Sequence, residues 1–152
     1  MTTQHQEVGF DGNKGIKGRK RHARVDTLGL LLAVVVTAAN GDDRQGFIAL
    51  LERDLARGGR RLRKLWVDQG YEAQWLKEWA AGLKLTHKID VEVVERQGTG
   101  FQVEPHRWKV ERTCSWISNA RRNCRDYQAL TCNSEAMIQI STIRMLLKRL
   151  IQ

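Results

Sequence analysis

The sequence predicts one α/β domain built on a mixed β-sheet, and three observations lead to this fold class. The chain has 152 residues, enough for one hydrophobic core, and 41% of its residues are apolar. It contains one proline and shows no internal repeat or low-complexity segment. Its apolar pattern gives a hairpin followed by alternating strands and helices, in the order β-β-α-β-α-β-α-α, which favours a mixed sheet covered by helices.

A β-hairpin is predicted near the N-terminus. The stretch at 12–24, GNKGIKGRKRHAR, starts as a glycine-broken loop and alternates as a strand from Arg19 to Val25. Asp26 to Gly29 has the composition of a turn, and the apolar, β-branched run from Leu30 to Thr37 is typical of a buried strand. Residues 1–11 are expected to form a loose leader, which leaves 12–152 as the domain.

Helices and strands alternate after the hairpin. Residues 40–43, NGDD, end the second strand and can cap a helix. A strand at 62–67 delivers Asp68 to its C-terminal end, and 89–94 alternates apolar and acidic residues as a half-exposed strand does. Apolar residues recur at helical spacing in four segments: Phe47, Leu50, Leu51 and Leu55; Trp75, Leu76, Trp79, Ala80 and Leu83; Val110, Cys114 and Ile117; and Ile143, Leu146, Leu147 and Leu150.

The chain is strongly basic, with 26 Lys and Arg against 17 Asp and Glu and a net charge of +9. Such a domain usually meets a polyanion, because Lys and Arg displace the counterions that surround phosphates. The alternative is a solvated basic surface. Trp108 and Trp116 could stack on an unpaired base, although core packing is the commoner role of Trp. The candidate phosphate contacts are Lys14, Lys17, Arg19, Lys20, Arg21, Arg24, Arg112, Arg121, Arg122 and Arg125.

Several classes of protein are not indicated by the sequence. The longest apolar run, Leu28 to Ala39, is too short for a membrane helix, and the first residues lack the apolar segment of a secretory signal. A cytoplasmic location without a membrane partner is therefore expected. Cys114, Cys124 and Cys132 fit no zinc spacing and are expected to be reduced thiols.

Two carboxylates stand out by their positions. Asp68 follows an apolar strand, at the edge where ligands bind in α/β sheets, and Glu111 lies in a predicted helix one turn after Arg107. Carboxylates from a strand and a helix can hold a pair of Mg²⁺ ions for phosphodiester chemistry. The alternatives are a turn-capping role for Asp68 and an ordinary surface ion pair between Arg107 and Glu111.

Several separated segments resemble the DDE transposases of bacterial insertion sequences. These segments are GIKGRKRHARVDTLGLLLAVVVTAAN, LWVDQGY, PHRWKVERTCSWISNARRNCRDYQAL, SEAMI and IRMLLKRL. They are most similar to the branch in which a GRKRH strand pair precedes the catalytic core, and the resemblance covers about residues 9–150. It implies an RNase H-like fold and DNA cleavage and strand transfer that depend on Mg²⁺, for which Mn²⁺ could substitute.

The resemblance also assigns roles to individual residues. Asp68 matches the second catalytic Asp of the family, with Gly70 and Tyr71 completing its motif. Glu111 matches the catalytic Glu, which follows Arg107 in an Arg-x-x-x-Glu spacing. The fuller signature of related families fails, because Glu104 stands at its Tyr position and Ser118 at its Lys position. Arg121 and Arg122 could supply the positive charge of that Lys.

The first catalytic Asp of the family lies on a strand upstream of the GRKRH strand. This chain is therefore expected to be the C-terminal part of the catalytic domain, with the N-terminal strand of the core missing. It would then be a truncated or split transposase, inactive alone, and an upstream-encoded segment could complete it. The expected partners are this segment, the DNA of transposon ends and target, and further copies of the chain in a homo-oligomer. Asp26, in the hairpin turn, is not expected to replace that Asp. The alternative is a non-catalytic, basic DNA-binding remnant.

Overall fold

The computed structural model describes residues 7–12, 15–58, 61–68, 74–94 and 107–151. Five strands and five helices lie in these ranges, and their order extends the predicted one by a first short strand and a four-residue helix. They are β1 (Gly9–Asp11), β2 (Ile16–Val25), β3 (Leu31–Ala38), α1 (Asp43–Ala56), β4 (Lys64–Asp68), α2 (Gln74–His87), β5 (Asp90–Val94), α3 (Arg107–Ser118), α4 (Arg121–Cys124) and α5 (Thr131–Leu150).

The predicted hairpin is present as β2 and β3. The two strands pair antiparallel from Arg19 opposite Ala38 to Val25 opposite Leu31, with one irregularity after Arg24. Asp26 closes the turn, since its Oδ1 accepts hydrogen bonds of 2.8 Å from the backbone N–H groups of Leu28 and Leu30. Asp26 is thereby occupied in the turn, where the sequence places it.

The N-terminal stretch departs from the sequence prediction. Residues 1–11 were expected to be a loose leader, but Gly9–Asp11 forms β1 and pairs antiparallel with the beginning of β2. Just before β1, the carboxylate of Glu7 accepts a hydrogen bond of 2.9 Å from the backbone N–H of Thr131. This contact with the start of α5 joins two ends of the chain that are far apart in sequence, so sequence pattern alone could not reveal it.

The strands form two sheets rather than one. β1, β2 and β3 make an antiparallel sheet, whereas β4 and β5 pair parallel from Lys64 opposite Asp90 to Asp68 opposite Val94. Within the described ranges, no strand pairing joins the two sheets. The predicted α/β class is confirmed, and the two strand orientations expected of a mixed sheet are divided between a small antiparallel sheet and a parallel pair.

Helices cover both faces of the antiparallel sheet. The alternation of β3 turns Ala33 and Val35 toward Leu50 of α1, and Val34 and Val36 toward α3 and α5 on the other face. Burying each of these Val or Leu side chains contributes roughly 1.5–3 kcal/mol. Strand β3 therefore contributes side chains to two small hydrophobic clusters, one on each face of the sheet.

Helix α1 also packs on the parallel pair. Phe47 and Leu51 of α1 form one buried cluster with Leu65 and Val67 of β4 and with residues of α2. The rings of Phe47 and Trp79 meet edge-on with centroids 5.3 Å apart. One helix thus spans both sheets, which fixes β4 relative to the hairpin although the two are not hydrogen-bonded to each other.

The last helix buries a mixed face and exposes an apolar one. Ser134, Ile138 and Thr142 face the protein interior. Ile143 and Leu147, which the sequence places on one apolar face with Leu146 and Leu150, are more than half exposed. The periodicity predicted the helix but not which of its faces is buried. None of the described helices is long and apolar enough to span a membrane.

Candidate functional site

Asp68 is the last residue of β4 and lies at an exposed position, opposite Val94 of β5. Strand alternation turns Leu65 and Val67 into the core beneath α1, so Trp66 and Asp68 belong to the opposite face of the strand. Gly70 and Tyr71, the other members of the motif, lie outside the described residues. The carboxylate of Asp68 is thus carried by a fixed strand on the side away from α1.

Glu111 is exposed in the second turn of α3. The helix is anchored to the core by Ile117, which packs with Val34, Val36 and Ile138 on the face of β3 away from α1. Asp68 and the helix that carries Glu111 thus each belong to the face of their own sheet that is opposite α1. Arg107 begins α3, but its side chain lies outside the described part of the structure, so its pairing with Glu111 remains a prediction.

The residues that follow Glu111 tie α3 to the hairpin turn. Arg112 donates a 2.6 Å hydrogen bond from Nη2 to the carbonyl of Leu28, and the buried hydroxyl of Thr113 donates to the carbonyl of Gly29. Gly29 has a φ of +79°, and a Cβ there would lie 2.7 Å from Arg112 Nη2. A side chain at this position would be strained by the positive φ, and its Cβ would displace the guanidinium of Arg112 from the turn. The turn therefore fixes the height of Glu111 above the sheet.

Arg21 of β2 belongs to the surroundings of Glu111. Desolvation raises the pKa of the Cys114 thiol, while the charge of Arg21 lowers it and the charge of Glu111 raises it. The charges of Arg21 and Glu111 therefore both act on the Cys114 thiol of α3. Arg21 also donates a 2.6 Å hydrogen bond from Nη2 to the carbonyl of Asn123 in α4. The Arg21 guanidinium thus contacts α4, and its charge acts on α3, the helix that carries Glu111.

Some of the predicted phosphate contacts are used inside the fold. The side chain of Arg19 is 4% exposed and donates to Asp126, to Ser134 and to three backbone carbonyls. Arg24 pairs with Asp54 at 2.6 Å, and both side chains are largely buried. Buried charges require such partners because desolvation is costly. These two guanidinium groups hold β2 to α1 and to the loop before α5.

The other predicted contacts differ in availability. Lys20 pairs with Asp43 at 3.0 Å and donates to the carbonyl of Gly41. Lys17, Arg121, Arg122 and Arg125 are exposed, and Lys14 lies outside the described residues. A phosphate could reach these four exposed side chains without breaking a contact described above.

A ladder of aromatic and guanidinium groups runs along α3. Arg112 lies between the rings of Trp108 and Trp116, at 4.3 and 4.6 Å from their centroids, and Arg149 covers Trp116 at 4.2 Å. Trp108 is 37% exposed, so it is not the core residue that the sequence favoured. Arg112 is held by this stacking and by Leu28, and it fixes the helix beside Glu111.

The oxygen ligands of Asp68 and Glu111 suit a hard divalent cation such as Mg²⁺ in chemical type. Among the described residues, no three His, Cys, Asp or Glu side chains converge as a metal site. The two predicted carboxylates thus fit the ion as ligands without forming a complete set within this part of the chain.

Sequence reasoning missed the groups around Asp126. Its carboxylate accepts from Ser134 Oγ at 2.7 Å and from the backbone N–H of Gln128 at 3.1 Å. The signal was an Asp-x-Gln pattern typical of a side-chain-capped turn. Tyr127, inside that turn, is 67% exposed and was not considered.

The geometry defines a basic α/β protein with one carboxylate at a strand end and another on a helix, an arrangement consistent with a DDE nuclease-like fold. Residues 1–146 match the family model of the transposase DDE domain, and the chain belongs to that family. Transposases of this family act on DNA and generally use divalent metal ions. No curated protein and no solved structure gives a significant match to the chain.

Proposed function

We propose that the chain is a transposase subunit that contributes Asp68 and Glu111 to a DNA strand cleavage and transfer site. The observation that carries the proposal is the transposase DDE domain match over residues 1–146. The positions of the two carboxylates support it, since Asp68 and the helix of Glu111 each lie on the face of their own sheet away from α1. The acidic groups would bind Mg²⁺ or Mn²⁺, which supplies charge neutralisation at phosphorus and activation of a hydroxyl nucleophile.

The protein residues would do the positioning. Strand β4 and helix α3 are regular elements, and they would hold the carboxylates of Asp68 and Glu111 at the separation that two ligands of one metal pair require. Arg107 would steady Glu111 or a phosphate. Arg21 and the exposed Arg121, Arg122, Arg125 and Lys17 would bind the DNA backbone, where a guanidinium or ammonium offsets phosphate charge and positions the strand. Lys14 belongs to the same proposal.

We further propose that the fold is RNase H-like and that one strand completes it. Two observations support this: no pairing joins the sheets within the described ranges, and α1 packs on both of them. In the described residues β1 pairs with Ile16 to Gly18 of β2, so a further strand could pair beyond it, beside residues 19–25 on the edge of β2 opposite β3. Such a strand would join this sheet to β4 and could carry the first acidic residue. In this proposal the chain is the C-terminal part of the catalytic domain of the GRKRH branch, and an upstream-encoded segment or a second subunit supplies the strand.

DNA cleavage tests the proposed function. End-labelled duplex is incubated in Mg²⁺ or Mn²⁺ with the chain alone and with the chain co-expressed with a transposase segment that carries the first acidic strand of the family. We expect cleavage in the second case only, and a loss of at least 100-fold in Asp68→Ala and in Glu111→Gln. Glu52→Gln, an exposed carboxylate on α1, is the matched control and should keep full activity. Cleavage that survives both site variants would contradict the proposal and favour the non-catalytic remnant.

A further inference from the structure

A surface cavity of about 390 Å³ lies at α4 and the loop that follows it. Its described lining consists of Arg121, Arg122, Tyr127 and Gln128. Pockets that bind small molecules have volumes of roughly 300–1,000 Å³, so this one is large enough for a single nucleotide. Neither Asp68 nor Glu111 is among its described lining residues, and Tyr127 and Gln128 were not predicted from sequence as site residues.

Hydrogen bonds fix the turn that carries the lining residues Tyr127 and Gln128. Burial raises the pKa of the Asp126 carboxyl, but hydrogen bonds from Ser134, Gln128 and Arg19 outweigh it and lower that pKa. Arg19 also donates to the carbonyl of Gln128 at 2.9 Å and to that of Ala129 at 2.8 Å. The backbone on both sides of Tyr127 is therefore fixed, and a ligand would meet a preorganised surface.

The groups that face the cavity are complementary to a nucleotide. Arg121 and Arg122 offer two exposed guanidinium groups, which bind phosphate through paired hydrogen bonds. Tyr127 offers a ring that is 67% exposed, and a hydrogen bond with Tyr127 raises the pKa of the Arg125 guanidinium. Gln128 offers an amide that can both donate and accept. The two arginines therefore match the phosphates of a nucleotide, the Tyr127 ring matches the face of its base, and the Gln128 amide matches the edge of its base.

We propose that this cavity binds an unpaired nucleotide of the DNA substrate, with its base on Tyr127 and its flanking phosphates on Arg121 and Arg122. The inference rests on the proposed function, because that function supplies DNA as the ligand. An unpaired nucleotide is required, since a base inside a duplex is already stacked on both faces and cannot reach an aromatic ring. Stacking on a ring tolerates any base, so the cavity distinguishes strand state rather than sequence.

The cavity is connected to the candidate catalytic helix. Arg21 donates to the backbone of Asn123 in α4, and its charge acts on Cys114, three residues after Glu111. Helix α4 also contacts α3 and α5. A strand whose phosphate lies near Glu111 would pass Arg21 before its next nucleotides reach Arg121 and Tyr127. The cavity would therefore hold an unpaired nucleotide close to the reacting phosphate.

Fluorescence of 2-aminopurine tests this inference directly. The probe is placed in a five-nucleotide single-stranded overhang, in the blunt duplex of the same sequence and in free 2-aminopurine nucleotide. We expect the chain to bind the overhang about tenfold more tightly than the blunt duplex and to change the fluorescence of the overhang probe. The free nucleotide should bind weakly, because it lacks the second phosphate.

Variants separate the ring from the charges. Tyr127→Leu should remove the preference for the overhang and the fluorescence change, whereas Tyr127→Phe should keep both. Arg121→Gln with Arg122→Gln should lower the slope of log affinity against log salt by about 1.4, which corresponds to two single-strand phosphate contacts. Arg57→Gln, an exposed arginine after α1, is the control and should leave the fluorescence change intact.

The outcomes distinguish the two proposals. Salt-sensitive binding in which overhang and blunt duplex are equivalent, or in which Tyr127→Leu behaves as the wild type, would overturn the nucleotide site and leave the transposase proposal standing. Absence of any DNA binding at low salt would overturn both. Circular dichroism of each variant establishes that it is folded.

Discussion

At the scale of single residues, two buried guanidinium groups on β2 hold the fold together. Arg19 and Arg24 belong to the basic stretch that suggests phosphate contact, yet they pair with Asp126 and Asp54 inside the fold. Their partners are 107 and 30 residues away, and no local pattern links them. Asp26 is the contrasting case, since an Asp before Thr-Leu-Gly is sufficient to predict its turn.

His22 provides a prediction about pH. Its ring is buried between β2 and α1, with Nε2 3.0 Å from Thr37 Oγ1, and there is no room for a Cβ at Gly46 beside it. Burial lowers its pKa below the ordinary 6.5; among nearby charges Asp43 raises it and Lys20 lowers it. The folded chain therefore holds the neutral ring, while the unfolded chain takes up a proton as the pH falls through about 6.5.

Stability should consequently fall as the pH is lowered from 7.5 to 5.5. The measurement is the urea midpoint at both pH values for the wild type and for His22→Gln. The variant should be less stable at pH 7.5 but should lose less stability on acidification, because it has no ring to protonate. Asp126 and Glu7, whose pKa values are lowered, contribute only at more acidic pH. An equal loss in both proteins would contradict this account of His22.

At the scale of elements, spacing predicted the helices and strands better than it predicted their orientation. The hairpin, α1, β4, α2 and β5 follow from alternation and helical periodicity, because each has one dominant apolar pattern. The apolar face of helix α5 with Ile143 and Leu147 is exposed, whereas its buried face has Ile138 between the polar Ser134 and Thr142. Which face is buried depends on the shape of β3 and α3, and this information is not local.

This orientation predicts unequal effects within α5. Ile138 is 1% exposed and packs with Val34 and Val36, so Ile138→Ala should lower the free energy of unfolding by about 2–4 kcal/mol through lost burial and a cavity. Leu147 is 53% exposed, and Leu147→Ala should change the free energy of unfolding by less than about 0.5 kcal/mol. Urea denaturation of the two variants measures both. Similar losses of stability in the two variants would contradict this orientation and would mean that the exposed face with Leu147 is packed against another molecule in solution.

At the scale of the whole molecule, the family could be predicted from sequence, whereas the convergence of Asp68 and Glu111 stays a prediction. The two carboxylates are 43 residues apart in the sequence, and neither local motif describes how β4 and α3 are placed. The structure adds that α1 packs on both sheets, and that Asp68 and α3 each belong to the face of their own sheet away from α1. The break between the sheets was likewise invisible in the pattern, since each strand alone has ordinary alternation.

The most direct test of the account is a crystal structure of the chain in complex with DNA and Mn²⁺, with anomalous diffraction to locate the metal. The carboxylates of Asp68 and Glu111 should lie about 4–8 Å apart, with a manganese peak within about 2.5 Å of an oxygen of each and with Asp26 away from both in its turn. Carboxylates on opposite sides of the sheets, or a manganese peak on Asp26, would contradict the central claim that this chain contributes Asp68 and Glu111 to a shared metal site.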